Sequence, residues 1–112
     1  MAGTNRRLAG PVALANGTYV TNIYNPASAL LFGTMTHIHI TNTTAGSLTF
    51  RLYIGATGAN TAGTEWAKDI AVAPNSNVDY YMQTRMESTD FLVGGASSTG
   101  LVITIDGSET VK

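Results

Sequence analysis

Ser47-Leu-Thr-Phe-Arg-Leu-Tyr-Ile54 is the stretch from which the fold can be read. Leu48, Phe50, Leu52 and Ile54 fall on one side of an extended chain, and Ser47, Thr49, Arg51 and Tyr53 on the other. A two-residue period of this kind marks a strand with one buried and one wet face. Leu101 to Asp106 repeats it, with Leu101, Ile103 and Ile105 opposite Val102, Thr104 and Asp106. Met35 to Thr43 puts Ile38 and Ile40 on the core side and His37, His39 and Thr41 on the far side. The Ala45-Gly46 turn predicts a hairpin between this strand and Ser47–Ile54.

The same reading extends to weaker segments. Asn16-Gly17 is a hairpin signal suited to a type I′ turn, and Thr18 to Tyr24 follows it as a strand. Trp66 to Ala73 presents Ile70 and Val72 on one face with Lys68 in line, and Asn77 to Thr84 alternates Val78, Tyr80 and Met82 against Asp79, Tyr81 and Gln83. Thr89 to Gly94 leaves its phase open between Phe91 with Val93 and Leu92. Ala27 to Phe32 reads as the start of a strand bent at Gly33, in preference to a single helical turn. A short piece at Val12 to Ala15 completes about eight strands, and Gly55 to Gly63 is a loop tip. Short strands separated by frequent turn signals predict an all-β fold, a two-sheet antiparallel β-sandwich, jelly-roll or Ig-like. The expected organisation is one domain, with residues 1–17 as an N-terminal arm and first short strand and residues 18–112 as the sandwich.

Composition agrees and excludes alternatives. The 112 residues include 17 Thr, 12 Gly, 8 Asn and 7 Ser, against 6 Lys and Arg and 7 Asp and Glu. Coiled coils and helical bundles draw on other residues. With no Cys, there is no disulfide framework. An apolar content of 44% and a net charge of −1 disfavour disorder. Six cations cannot line a phosphate groove, so neither nucleic acid nor an anionic membrane is expected as a partner. No apolar run is long enough to span a bilayer or to serve as a signal peptide, which predicts synthesis in a cytoplasm. A small domain without disulfide or metal staple is expected to associate with other chains.

Catalytic motifs are missing. There is no Gly-x-Ser-x-Gly elbow, and Gly55 to Gly63 lacks the Gly-Lys-Ser/Thr ending of a phosphate loop. The expectation is a non-enzyme without cofactor. His37 and His39, two apart on a strand, leave by the same face and offer two of the three or four ligands of a zinc site. No third ligand is near in sequence, so the pair reads as a polar strand face, and no metal is expected. Asn16-Gly-Thr and Asn42-Thr-Thr fit the glycosylation pattern but read better as residues bonding their own backbone. Tyr19, Tyr24, Tyr53, Trp66, Tyr80 and Tyr81 read as protein-interface residues in preference to a sugar-stacking platform.

Ile23-Tyr-Asn-Pro-Ala27, His37-Ile-His-Ile-Thr-Asn-Thr43 and Phe50-Arg-Leu-Tyr-Ile54 resemble small β-sandwich virion proteins of tailed bacteriophages. So do Asp90-Phe-Leu92, the small-residue loop Ala96 to Gly100, and Leu101 to Gly107 with its Gly-x-Glu ending at Glu109. The resemblance spans roughly residues 18 to 110. It implies a capsid decoration protein, a homo-oligomer, commonly a trimer, on the outer surface of the virion head, bridging subunits of the major capsid protein. A tail- or head-fibre-associated module binding a receptor or carbohydrate is the alternative. The interface residues expected on this reading are Arg6, Arg7 and Leu8 on the arm and Tyr24 and Pro26 at a loop. Arg51, Trp66, Tyr81 and Arg85 are expected as anchors, and His37 and His39 at a subunit contact.

Overall fold

The computed structural model describes residues 4–112. Met1 to Gly3, the tip of the expected arm, lie outside the described residues. Eight strands follow in chain order: β1 (Thr4–Ala13), β2 (Thr21–Tyr24), β3 (Leu31–Asn42), β4 (Leu48–Gly55), β5 (Glu65–Val72), β6 (Asn77–Met86), β7 (Phe91–Ala96) and β8 (Leu101–Val111). They form two antiparallel four-stranded sheets, ordered β1-β8-β3-β6 and β2-β7-β4-β5. The first and last strands are neighbours, and only β4 and β5 are consecutive strands in one sheet. This is the double Greek key of a jelly roll, and it excludes the Ig-like order, in which the first strand pairs with the second.

Two expected hairpins are absent for this reason. The turn after Asn42 carries the chain from β3 in the first sheet to β4 in the second. Asn42 ties that corner: its Nδ2 donates to the carbonyls of Gly46 (2.8 Å) and Val72 (3.0 Å), and its Oδ1 accepts from the Thr44 amide (2.9 Å) and hydroxyl (2.7 Å). It is the one buried polar side chain among the described residues, and all its bonding groups are used. Gly17 does adopt the left-handed conformation (φ 72°), but the chain there crosses between sheets.

The expected arm is, from Thr4 onward, an edge strand. β1 runs along β8 from Thr4 opposite Glu109 to Ala13 opposite Val102. Ser28 to Leu31 makes a turn, and β3 begins at Leu31 and passes through Gly33 without a helix. The core lies between the sheets, where Met35, Ile38, Ile40, Met86, Leu101, Ile103 and Ile105 of the first meet Phe50, Leu52, Val72, Leu92 and Ala96 of the second, all fully buried. Burying a side chain of this size contributes about 1.5–3 kcal/mol.

Two irregularities change the simple alternation. At Thr36 the register of β3 against β8 slips by one, so Met35 turns into the core although it is two residues from outward-facing His37. At Lys68–Asp69 two residues of β5 stand opposite Arg51, and Asp69 takes φ 51°. That bulge turns Lys68 outward and gives Asp69 to Arg51.

Leu92 to Ala96 are all buried, which answers the open phase of β7: Leu92 faces the core, and Val93 and Tyr53 lie on the opposite face. A strap, Ala15 to Val20, crosses that face at Gly95. The Ala96 amide donates to the Ala15 carbonyl and the Gly17 amide to the Ala96 carbonyl, both at 2.8 Å. The strap comes so close to Gly95 that a Cβ there would lie 1.7 Å from the Thr18 carbonyl oxygen.

Candidate functional site

The outer face of the first sheet gathers the most chemistry. β3 turns His37, His39 and Thr41 outward, because Ile38 and Ile40 are taken by the core. β6 lies alongside, with Asp79 opposite His39 and Tyr81 opposite His37, and β8 on the other side places Asp106 opposite His37. His37 Nε2 and His39 Nδ1 each stand 2.7 Å from Asp79 Oδ1. Asn77 Nδ2 donates to Asp79 Oδ2 at 2.7 Å. His37 Nδ1 is 3.4 Å from Asp106 Oδ2, and His39 Nε2 is 2.8 Å from Thr41 Oγ1. The Tyr81 ring stacks on His37, 4.6 Å between centroids and 5° from parallel, yet is 78% exposed. The bonds from His39 and then His37 hold the Asp79 carboxyl below the usual carboxylate range. One donor atom from each of His37, His39 and Asp79 lies within 4.8 Å of the others. A third side chain with a donor atom, not visible beside the histidines in sequence, comes from β6. Its only local signal is the outward phase of Asp79 in the Asn77 to Thr84 alternation.

The other expected interface residues are scattered. Arg7 reaches Asp106 at 4.0 Å and so borders the cluster. Arg85 lies on the same face farther along, its guanidinium 3.7 Å from the Phe32 ring centre, and pairs with Glu87. Arg6 lies at the end of the sandwich, 3.0 Å from Glu109. The Tyr24 hydroxyl donates to the same carboxylate at 2.9 Å, and burial, then this contact, raises the phenol above its usual range. Tyr24 and Pro26 are buried within the chain, and Leu8 packs against the core. Arg51 belongs to the outer face of the second sheet, where it binds Asp69 through two nitrogens (2.7 and 3.2 Å) and covers the Tyr19 ring. Trp66 meets Tyr80 edge-on at the core margin. The six aromatics therefore share no single face.

The paired carboxylates set a pH dependence. The Arg51 contact lowers the Asp69 carboxyl, and Lys112 followed by Arg85 lowers that of Glu87. The folded chain keeps these groups ionised at a pH where the unfolded chain has begun to protonate them. Their stabilisation is complete above the ordinary carboxylate range of about 3.9–4.3 and is lost as pH falls below it. Thermal unfolding followed from pH 7 to pH 3 is expected to show a falling Tm only in that acid limb. The Asp69→Asn variant is expected to fall less steeply, and parallel limbs for the two proteins would contradict this account.

Compared with known families the chain matches none, and no curated protein matches it. Among solved structures it is similar to a chain in the "Structure of infectious bursal disease virus Gt strain", at 8% identity and a TM-score of 0.44. The likeness covers 96% of this chain, which spans 30% of the length of the other. The architecture itself rests on the strand order.

Proposed function

We propose that this chain is a structural protein of a tailed-phage virion, a decoration protein that binds the outer surface of the head as a homo-oligomer, a trimer, and bridges neighbouring subunits of the major capsid protein. The observation that carries the reading is the strand order β1-β8-β3-β6 over β2-β7-β4-β5. Double-sheet jelly rolls recur in viral capsid, lectin and cupin domains. The resemblance of the Ile23–Ala27, His37–Thr43 and Leu101–Glu109 segments to small phage virion proteins selects the first of these. A lectin-like reading calls for gathered aromatics, whereas here they are dispersed. A cupin-like reading calls for space within the sandwich, whereas Met35, Ile38, Phe50 and Ile105 fill it.

In this reading the mechanism is added contact area, which resists outward pressure on the shell. The outer face of the first sheet supplies the contact, with Tyr81 as its exposed anchor and Arg7 and Arg85 at its margins. Aromatic and arginine side chains dominate the energetics of such contacts. Light scattering on the purified protein is expected to give three times the 11.7 kDa chain mass, and the protein is expected to co-sediment with capsids. Tyr81→Ala is expected to weaken capsid binding about tenfold or more. A stable monomer that never sediments with capsids would overturn the proposal.

A further inference from the structure

We infer that His37, His39 and Asp79 form a binding site for a divalent first-row transition ion of the zinc type, a property independent of any role in a virion. Each of the three side chains turns one donor atom inward, His37 Nε2, His39 Nδ1 and Asp79 Oδ1. Each has its other polar atom held from outside the cluster, by Asp106, Thr41 and Asn77 respectively. This is the arrangement in which outer partners fix the orientation of metal ligands.

Proton placement leaves a conflict in the neutral hydrogen-bonded cluster that a bound ion relieves, as a doubly protonated His37 ring would also do. Without an ion, both imidazoles must donate to the single Oδ1 of Asp79. Neutral His37 then carries its proton on Nε2, and its bare Nδ1 faces Asp106 Oδ2 at 3.4 Å, acceptor against acceptor. With an ion among the three inward atoms the conflict disappears. His37 carries its proton on Nδ1 and donates to Asp106. His39 carries its proton on Nε2 and donates to Thr41 Oγ1. Asp79 Oδ2 keeps the bond from Asn77. Tetrahedral zinc with bonds of about 2.0–2.1 Å sets its donors roughly 3.3 Å apart. The two 2.7 Å separations therefore open by about 0.6 Å, and the separation between the two nitrogens, within 4.8 Å, comes to about the same 3.3 Å, both by side-chain torsions.

Two imidazoles and one carboxylate suit Zn²⁺ and its neighbours, whereas Mg²⁺ and Ca²⁺ prefer all-oxygen sites. Three protein donors leave a coordination position for water. The cluster stands on an open sheet face beside Tyr81, so the ion has a direct path from solvent.

Calorimetric titration of the metal-free full chain with Zn²⁺ is expected to show one saturable site per chain, with no comparable heat from Mg²⁺ or Ca²⁺. Asp79→Asn and His39→Ala are each expected to weaken zinc binding tenfold or more, and Asp106→Asn to weaken it about tenfold through His37. Nitrogen-15 spectra of the unaltered protein supply a readout that needs no variant. Zinc is expected to move the remaining proton from Nε2 to Nδ1 on His37 and from Nδ1 to Nε2 on His39. Absence of saturable binding, equal affinity in the His39→Ala chain, or unchanged ring tautomers in the presence of zinc would each overturn the inference.

Discussion

Gly95→Ala is expected to lower Tm by about 10–15 °C, corresponding to roughly 3 kcal/mol for a domain of this size. The added Cβ would lie 1.7 Å from the Thr18 carbonyl oxygen and 3.0 Å from that of Ala15, both backbone atoms that no rotamer change can move. The strap must lift. With it go the bonds from Ala96 to Ala15 and from Gly17 to Ala96. Hydrogen exchange can locate the damage. The Ala96 amide is expected to lose protection first, while amides of β3 and β8 retain theirs up to global unfolding. A change of less than about 2 °C would show that the strap contributes little to stability.

Asn42→Ala is expected to cost about 3 kcal/mol, read as a lower urea midpoint at unchanged slope. The side chain makes four contacts at the corner between the sheets and is 1% exposed. Truncation leaves the Gly46 carbonyl and the Thr44 amide without that partner, and the Val72 carbonyl without it in a place water reaches poorly. Asn42→Asp separates lost bonding from lost volume. It keeps the shape and the acceptor but removes both N–H donors and sets a charge facing two carbonyls, so it is expected to destabilise at least as much as Ala. Thr44→Val removes only the hydroxyl contacts and is expected to cost about 1 kcal/mol. If Asp proved milder than Ala at neutral pH, packing rather than hydrogen bonding would be the reason for an amide at this corner.

The strands could be read from the sequence because a two-residue period is a local property. The phases of Leu48 to Ile54, Val78 to Met82 and Leu101 to Ile105 follow from burial on one face and hold in the structure. Partner choice is different. The Ala45-Gly46 turn reverses the chain equally well within a sheet or between sheets, and here the Asn42 contacts to Gly46 and Val72 tie the second outcome in place. The bulges at Thr36 and Asp69 each shift one side chain without a compositional mark. The histidine cluster shows the same division. Strand phase predicts that His37 and His39 share a face, but Asp79 and Asp106 reach them only through the registers of β3 with β6 and β8. The N-terminal segment has little apolar pattern because an edge strand is held by its ladder to β8, with Leu8 and Ala9 its main contributions to the core.

The place of β8 between β1 and β3 has a consequence for how the protein is made. β8 is the last of these eight strands to leave the ribosome, and both neighbours must wait for it. At synthesis rates of about 5–20 residues per second, β1 spends roughly 5–20 s with no partner for its ladder. Throughout that interval the nascent chain exposes unpaired strand edges and the apolar residues that β8 will cover. The first sheet can close only once Leu101–Val111 has emerged, so assembly of this half of the fold waits for the eighth strand.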